Sequence, residues 1–252
     1  MSCRALALVA LSGALALGCR RERTAEAEPV AATTIQSVDV PRPGTTLTVP
    51  FDEDRDRALV VAGNPEIHEP IVWLHGMCAD PKADLEAIGT IARTHGTILS
   101  ISGDVPCPGQ PGRTTWTDDV ASIDGRISLA IAAVNGAGVA PFLVDGPLLV
   151  VGVSMGATRA EALSGASPAR YGRLVLVGAP KAPSPDTLAG ARAVAMVAGD
   201  QEPQRKMRDG AHALDVAGVP SRFFLLPGAP HGSFGPDGEH VMSEAVAFVR
   251  AH

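Results

Sequence analysis

Apolar residues in this chain fall into short runs separated by longer segments with helical spacing. Candidate strands cover residues 46–49, 58–62, 71–74, 97–101, 148–153, 174–177, 193–197 and 222–226. Candidate helices cover residues 81–94, 117–134, 155–163, 204–217 and 239–251. The first two runs read as an antiparallel strand pair. From Ile71 onward strand and helix alternate, which implies right-handed crossovers and a largely parallel sheet. Central runs such as Leu148-Leu149-Val150-Val151 are apolar on both faces, as strands covered by helices on both sides must be. The pattern predicts one α/β domain over residues 45–252, a mostly parallel sheet with helices on both faces. Residues 178–191 leave no room for a lid domain between two of its strands.

The sharpest local signal is Gly152-Val153-Ser154-Met155-Gly156, which follows the strand-like run directly. A strand that stops on a serine and turns at once into a helix forces that serine into a strained, exposed position. Side chains in place of Gly152 and Gly156 would collide across so sharp a turn. A serine hydroxyl is a poor nucleophile until a base takes its proton, and a carboxylate must orient that base. His231 is the candidate base, because it follows the last strand in the Gly/Pro-rich loop Pro227-Gly228-Ala229-Pro230-His231-Gly232. His212 and His240 fall on predicted helices. His75 belongs to the strand end Ile71-Val72-Trp73-Leu74-His75-Gly76-Met77, where a histidine supports the loop. The carboxylate candidates are Glu202 and Asp200, in Gly199-Asp200-Gln201-Glu202-Pro203. The backbone N–H groups of Met155 and Met77 are the candidate donors to a developing oxyanion.

Composition narrows the function classes. The chain has 252 residues, a net charge of −6 and only 4% aromatic residues. With no basic block outside the N-terminus and few stacking side chains, nucleic acid is excluded as an expected partner. No clustered Cys/His spacing or Gly-rich phosphate loop occurs, so neither a metal nor a cofactor is expected. At the N-terminus, Arg4 precedes an apolar stretch over residues 5–17 that is too short to span a membrane comfortably. It ends in Ala16-Leu17-Gly18-Cys19. A small residue before cysteine after such a stretch resembles a bacterial lipoprotein signal, with residues 1–18 removed and Cys19 lipidated. An ordinary secretory signal peptide is the alternative. Residues 19–44 read as a flexible tether to a membrane. The expected location is therefore the bacterial cell envelope. Cys78 and Cys107 then remain as an even pair in an oxidising compartment. They follow successive strands whose loops emerge at one edge of a parallel sheet, so a bridge between them is expected. Two separate buried thiols are the bland alternative.

The segments His75-Gly76, Gly152–Gly156, Gly199–Glu202 and His231, in this order, resemble those of the α/β-hydrolase superfamily. The resemblance covers roughly residues 58–250. The Gly199–Pro203 and Pro227–Gly232 pieces are similar to bacterial esterases of the enterochelin-esterase and esterase-D type. The resemblance implies the α/β-hydrolase fold and a triad in the order nucleophile, acid, histidine. Its usual acid spacing is Gly-x-x-Asp, which lands on Glu202; Asp200 matches by residue type and stands as the fallback. It further implies a serine hydrolase cleaving a small-molecule carboxylic ester through an acyl-enzyme on Ser154. A peptidase, amidase or acyltransferase would use the same machinery. A surface binding protein that kept the fold without catalysis is the reading from another class.

Overall fold

The structure, a computed structural model, describes residues 41–52 and 56–252. The expected signal segment, Cys19 and nearly all of the tether lie outside the described residues. At its near end, Gly44 N–H donates to Ala62 C=O at 2.7 Å, so the domain's edge already includes the turn at residues 42–45.

Eight strands form the main sheet: β1 (Thr46–Pro50), β2 (Arg57–Val61), β3 (Ile71–Leu74), β4 (Ile98–Ile101), β7 (Leu149–Val153), β8 (Arg173–Val177), β9 (Ala193–Gly199) and β10 (Ser221–Leu226). Their order is β1-β2-β4-β3-β7-β8-β9-β10. β1 and β2 pair antiparallel, as does β2 with β4, and every pairing from β4 to β10 is parallel. Two further short strands, β5 (Val105–Pro106) and β6 (Thr114–Thr115), make a separate antiparallel ribbon. The hydrophobic runs do not announce this ribbon, because its four residues are exposed or half-buried.

Each central strand alternates its side chains between two cores. On one face Val72, Leu74, Leu99, Val150 and Leu174 pack with Ile123, Ile127, Ala160, Leu163 and Leu214. Those partners come from α3 (Val120–Gly136), α4 (Met155–Ala166) and α5 (Arg205–Val216). On the other face Ile71, Trp73, Val151, Val175 and Val197 meet Leu85, Ile88, Met242, Ala245 and Val249. These belong to α1 (Pro81–Ile88) and α6 (Gly238–Arg250). Full burial of one such side chain contributes roughly 1.5–3 kcal/mol. The connection between β8 and β9 holds turns and no helix.

Two helices depart from the periodicity. The helix expected over 81–94 breaks at Gly89, passes through a 3-10 turn at Gly89–Ile91 and resumes as α2 (Ala92–His95). Glycine is a poor helix former. Gly89 also packs on Val61, which a Cβ there would meet at 3.4 Å. The helix expected from 117 starts at Val120, because Asp119 caps it: its Oδ1 accepts from Ala121 N–H at 3.0 Å and Ser122 N–H at 3.2 Å.

A carboxyl group, that of Asp84, is buried in the α1/α6 core. Asp84 Oδ2 accepts from Trp73 Nε1 at 3.1 Å. Burial, with a smaller push from Asp80, raises its carboxyl from 3.8 to about 6 against the lowering effect of the Trp73 bond. The folded state thus prefers the neutral acid. Its contribution to stability is complete below about pH 4 and is lost as the pH rises through about 6, a change of about 3 kcal/mol for a two-unit shift. Asp84→Asn keeps an acceptor for Trp73 but cannot titrate. Urea unfolding of both proteins should therefore show the variant gaining on the wild type by about 3 kcal/mol between pH 3 and pH 7. A gap independent of pH would show that Asp84 does not titrate with folding.

Candidate active site

At the carboxyl end of β7 the chain turns into α4 with no connecting loop. Ser154 occupies the corner at φ 53° and ψ −112°. Such a conformation costs an L-residue of order 1–3 kcal/mol and persists only where the surroundings enforce it. The enforcement is steric. A Cβ on Gly152 would lie 2.4 Å from Gly156 O, and one on Gly156 would lie 2.0 Å from Leu74 O. Ser154 N–H is held by Val177 C=O at 2.8 Å, extending the β7–β8 ladder by one residue. The hydroxyl is thereby lifted off the sheet edge at the start of a helix.

His231 reaches this corner from the loop after β10. Its Nε2 lies 3.0 Å from Ser154 Oγ, and its Nδ1 lies 2.6 Å from Glu202 Oε2. Glu202 uses its other oxygen, Oε1, to accept Gly199 N–H at 2.9 Å. The glutamate side chain is 8% exposed and the histidine 52%. A shielded carboxylate held by the backbone makes Nδ1 the protonated nitrogen, so Nε2 is left to accept the serine proton. Asp200 is exposed. Its N–H and C=O are engaged with Leu226 O and Gln204 Nε2, and it is not brought to His231.

Gly178 also belongs to the site, though nothing in the hydrophobic pattern singled it out. At φ 55° it directly follows β8 beneath the Ser154, His231 and Glu202 side chains, and a Cβ there would sit 3.1 Å from His231 Nδ1 and 3.2 Å from Glu202 Oε1. A glycine directly after the strand beside the nucleophile strand was the available clue.

His75 is buried and is a support. Its Nε2 accepts Gly103 N–H at 2.9 Å, so its Nδ1 carries the proton and donates to Gly76 O at 2.7 Å. Burial lowers its pKa and keeps it neutral. Trp116 Nε1 donates to His75 O at 2.7 Å, which makes this buried tryptophan a prop for the same loop. Asp118 pairs with Arg159, and Asp119 caps α3. His240 pairs with Glu244 on the surface of α6. His95 Nε2 lies 2.8 Å from Ser243 Oγ, a second Ser–His contact, but its charged neighbour is Arg250.

Met155 is the first residue of α4, where N–H groups have no intrahelical acceptor and the helix dipole favours negative charge. Met77 lies on the facing loop. Gly76 brings this loop against the serine: a Cβ there would stand 3.5 Å from Ser154 Cβ. The next residue, Cys78, is joined to Cys107 in a disulfide with a Cα–Cα distance of 5.8 Å. Among the described residues no group of three or more His, Cys, Asp or Glu side chains is arranged to hold a metal ion. A cavity of about 360 Å³ lined by Gly63, Ile67, Thr97 and Val139 opens at the other end of β3 and β4, away from Ser154.

No protein-family model matches the chain, and no curated protein matches it in sequence. Solved structures do match. The fluorophosphonate-binding serine hydrolase FphF of Staphylococcus aureus is 12% identical, with 82% of this chain and 98% of that one covered, at a TM-score of 0.59. A Bacillus cereus carboxylesterase is 15% identical over 78% and 95% of the two chains, at 0.54. A dienelactone hydrolase from Anabaena variabilis is 14% identical over 82% and 97%, at 0.53. At such identities the likeness speaks to architecture: the chain has the α/β-hydrolase fold.

Proposed function

We propose that the protein is an exported serine hydrolase that cleaves carboxylic esters through an acyl-enzyme on Ser154. The observation that carries this reading is the placement of His231 between Ser154 Oγ at 3.0 Å and Glu202 Oε2 at 2.6 Å. In the first half-reaction Ser154 Oγ attacks the ester carbonyl carbon while His231 Nε2 takes the hydroxyl proton. The carbonyl oxygen becomes an oxyanion facing the N–H groups of Met77 and Met155. Collapse expels the alcohol, which leaves with the proton from His231. A water then attacks the acyl-enzyme, His231 takes its proton and returns it to Ser154, and the acid departs. Glu202 aims the ring and stabilises the imidazolium between these transfers.

The half-exposed histidine and the short β8–β9 connection favour soluble or bulky esters over buried lipid chains. The esterase and serine hydrolase names among the structural neighbours agree with this class. Export is supported by the Arg4-led apolar segment and by a disulfide, which suits an oxidising compartment. Gly18-Cys19 supports lipid anchoring in the cell envelope.

Ser154→Ala should abolish both hydrolysis of p-nitrophenyl esters and labelling by a fluorophosphonate probe while leaving the circular dichroism spectrum unchanged. Loss of a nucleophile costs orders of magnitude, so residual turnover within about tenfold of wild type would refute the assignment.

Glu202→Gln should lower kcat by roughly 10²–10⁴-fold, because the amide can present its own N–H to Nδ1 and favour the wrong tautomer. Asp200→Asn should stay within about threefold of wild type, as surface substitutions generally do. If the order is reversed, Asp200 is the histidine's partner in solution.

Membrane fractionation checks the anchor. Wild-type protein should sediment with membranes and incorporate labelled palmitate, and Cys19→Ala should do neither. Recovery of the wild type as a soluble, unlipidated species would refute the lipoprotein reading.

A further inference from the structure

Thr114 and Thr115 of the β5–β6 ribbon and the next residue, Trp116, touch the segments around the serine. Thr114 C=O accepts Cys78 N–H at 3.1 Å. Thr115 Oγ1 donates to Met155 Sδ at 3.0 Å. Trp116 Nε1 donates to His75 C=O at 2.7 Å. Two of these contacts flank Met77, and the third falls on Met155 itself. At the base of the ribbon Gly103 N–H binds His75 Nε2 at 2.9 Å. A Cβ on Gly103 would lie 2.1 Å from Thr115 O, so the ribbon's two limbs meet with no room for a side chain. Cys107 N–H bonds Arg113 C=O at 3.0 Å across the ribbon, and Cys107 is covalently joined to Cys78.

Cys78 has φ 54°, a left-handed conformation that among the described non-glycine residues only Ser154 shares. A non-glycine residue keeps such a backbone only where its surroundings over-determine it. For Cys78 these surroundings are the bridge to Cys107, the bond to Thr114 and the adjoining turn from Ala79 N–H to Gly76 O at 3.1 Å. Cys78 directly follows Met77, and the two form the centre of the turn closed by Ala79 N–H on Gly76 O, so fixing Cys78 holds the turn that carries Met77.

We propose that the β5–β6 ribbon, locked to the Met77 loop by the Cys78–Cys107 bridge, is the positioning element of the oxyanion site, and that full turnover requires the bridge to be oxidised. The proposal rests on the reading of Ser154 as nucleophile. Oxyanion donors act through preorganisation toward charge that exists only in the transition state. A loosened Met77 loop therefore lowers kcat and leaves KM nearly unchanged. The ribbon residues act through Met77 and Met155 and are positioning residues. Opening the bridge takes two electrons and two protons. With dithiothreitol, one thiolate attacks a sulfur of the bridge to form a mixed disulfide. The second thiol then closes the reagent into its cyclic disulfide and releases Cys78 and Cys107 as thiols. A chain still in a reducing compartment would accordingly turn over slowly and gain activity when oxidised.

The test is steady-state kinetics of the full chain on p-nitrophenyl acetate, oxidised and after dithiothreitol, at a temperature where circular dichroism reports both as folded. Phenylboronic acid, which forms a tetrahedral adduct with a reactive serine, reports on the oxyanion site. Reduction should lower kcat about tenfold or more and weaken boronate inhibition in proportion, with KM within about twofold and recovery on reoxidation. The double variant Cys78→Ser, Cys107→Ser should match the reduced protein and ignore dithiothreitol. Thr115→Val, measured oxidised, should show a smaller fall of the same kind, which keeps the proposal open to refutation if the double variant does not fold. A reduced protein with kcat within about twofold of the oxidised one overturns the proposal, as does activity lost only in step with the dichroism signal. Retained turnover in Ser154→Ala would instead strike the nucleophile assignment; an inert Ser154→Ala beside bridge-independent turnover strikes the ribbon alone.

Discussion

The geometry of the site depends on one close approach, that of the first turn of α4 to the end of β3. Gly156 stands so near Leu74 O that a Cβ would come within 2.0 Å of it. This contact lets the helix begin directly at the strand end and throws Ser154 into its left-handed corner. It also brings the amino terminus of α4 beside the His75–Cys78 loop. The Ser154 corner and the start of α4 at Met155 are thus set by a single steric fact. Any side chain at position 156 would push helix and strand apart and dissolve both arrangements together.

The glutamate and the histidine arrive from strands two and three places along the sheet, respectively, and their positions are fixed by packing at the same edge. Gly199 lies against the His231 loop, where a Cβ would meet Ala229 O at 2.0 Å, and Gly178 leaves space beneath the imidazole. Glu202 spends one oxygen on the Gly199 backbone and the other on the ring. A carboxylate tied at both oxygens has little freedom to swing, so the ring it holds is aimed at the serine. The contrast between a shielded acid and an open histidine fits chemistry on substrates that approach from solvent.

The two faces of the sheet are divided in character. The α3/α4/α5 side is a large apolar core that carries the elbow helix. The α1/α6 side accommodates one buried acid, Asp84, held by Trp73. An uncharged Asp84 is the comfortable state there, and its cost falls on stability rather than on the serine, since it lies on the opposite face from α4.

Much of this was legible along the chain where the cause is local. Apolar runs at strand spacing marked the eight strands of the main sheet to within a residue or two, because the central strands are buried on both faces and the outer ones, β1 and β10, still turn apolar residues inward. The Gly152–Gly156 pattern marked the corner, because the glycines answer a clash among immediate neighbours. Spacing from Gly199 favoured Glu202 over Asp200, since the backbone direction after a strand sets which side chain turns inward. The tertiary structure alone decided the rest. Gly89 was a visible weak point in the helix over 81–94, but that the chain passes there through a 3-10 turn packed on Val61 is seen only in the fold. The β5–β6 ribbon is made of exposed and half-buried residues, so hydrophobicity carries no trace of it. Gly178 meets His231, and Thr114 meets Cys78, only because the topology of the sheet brings distant loops to one edge. Local sterics are written in adjacent residues, whereas contacts between loops exist only once the chain has closed on itself.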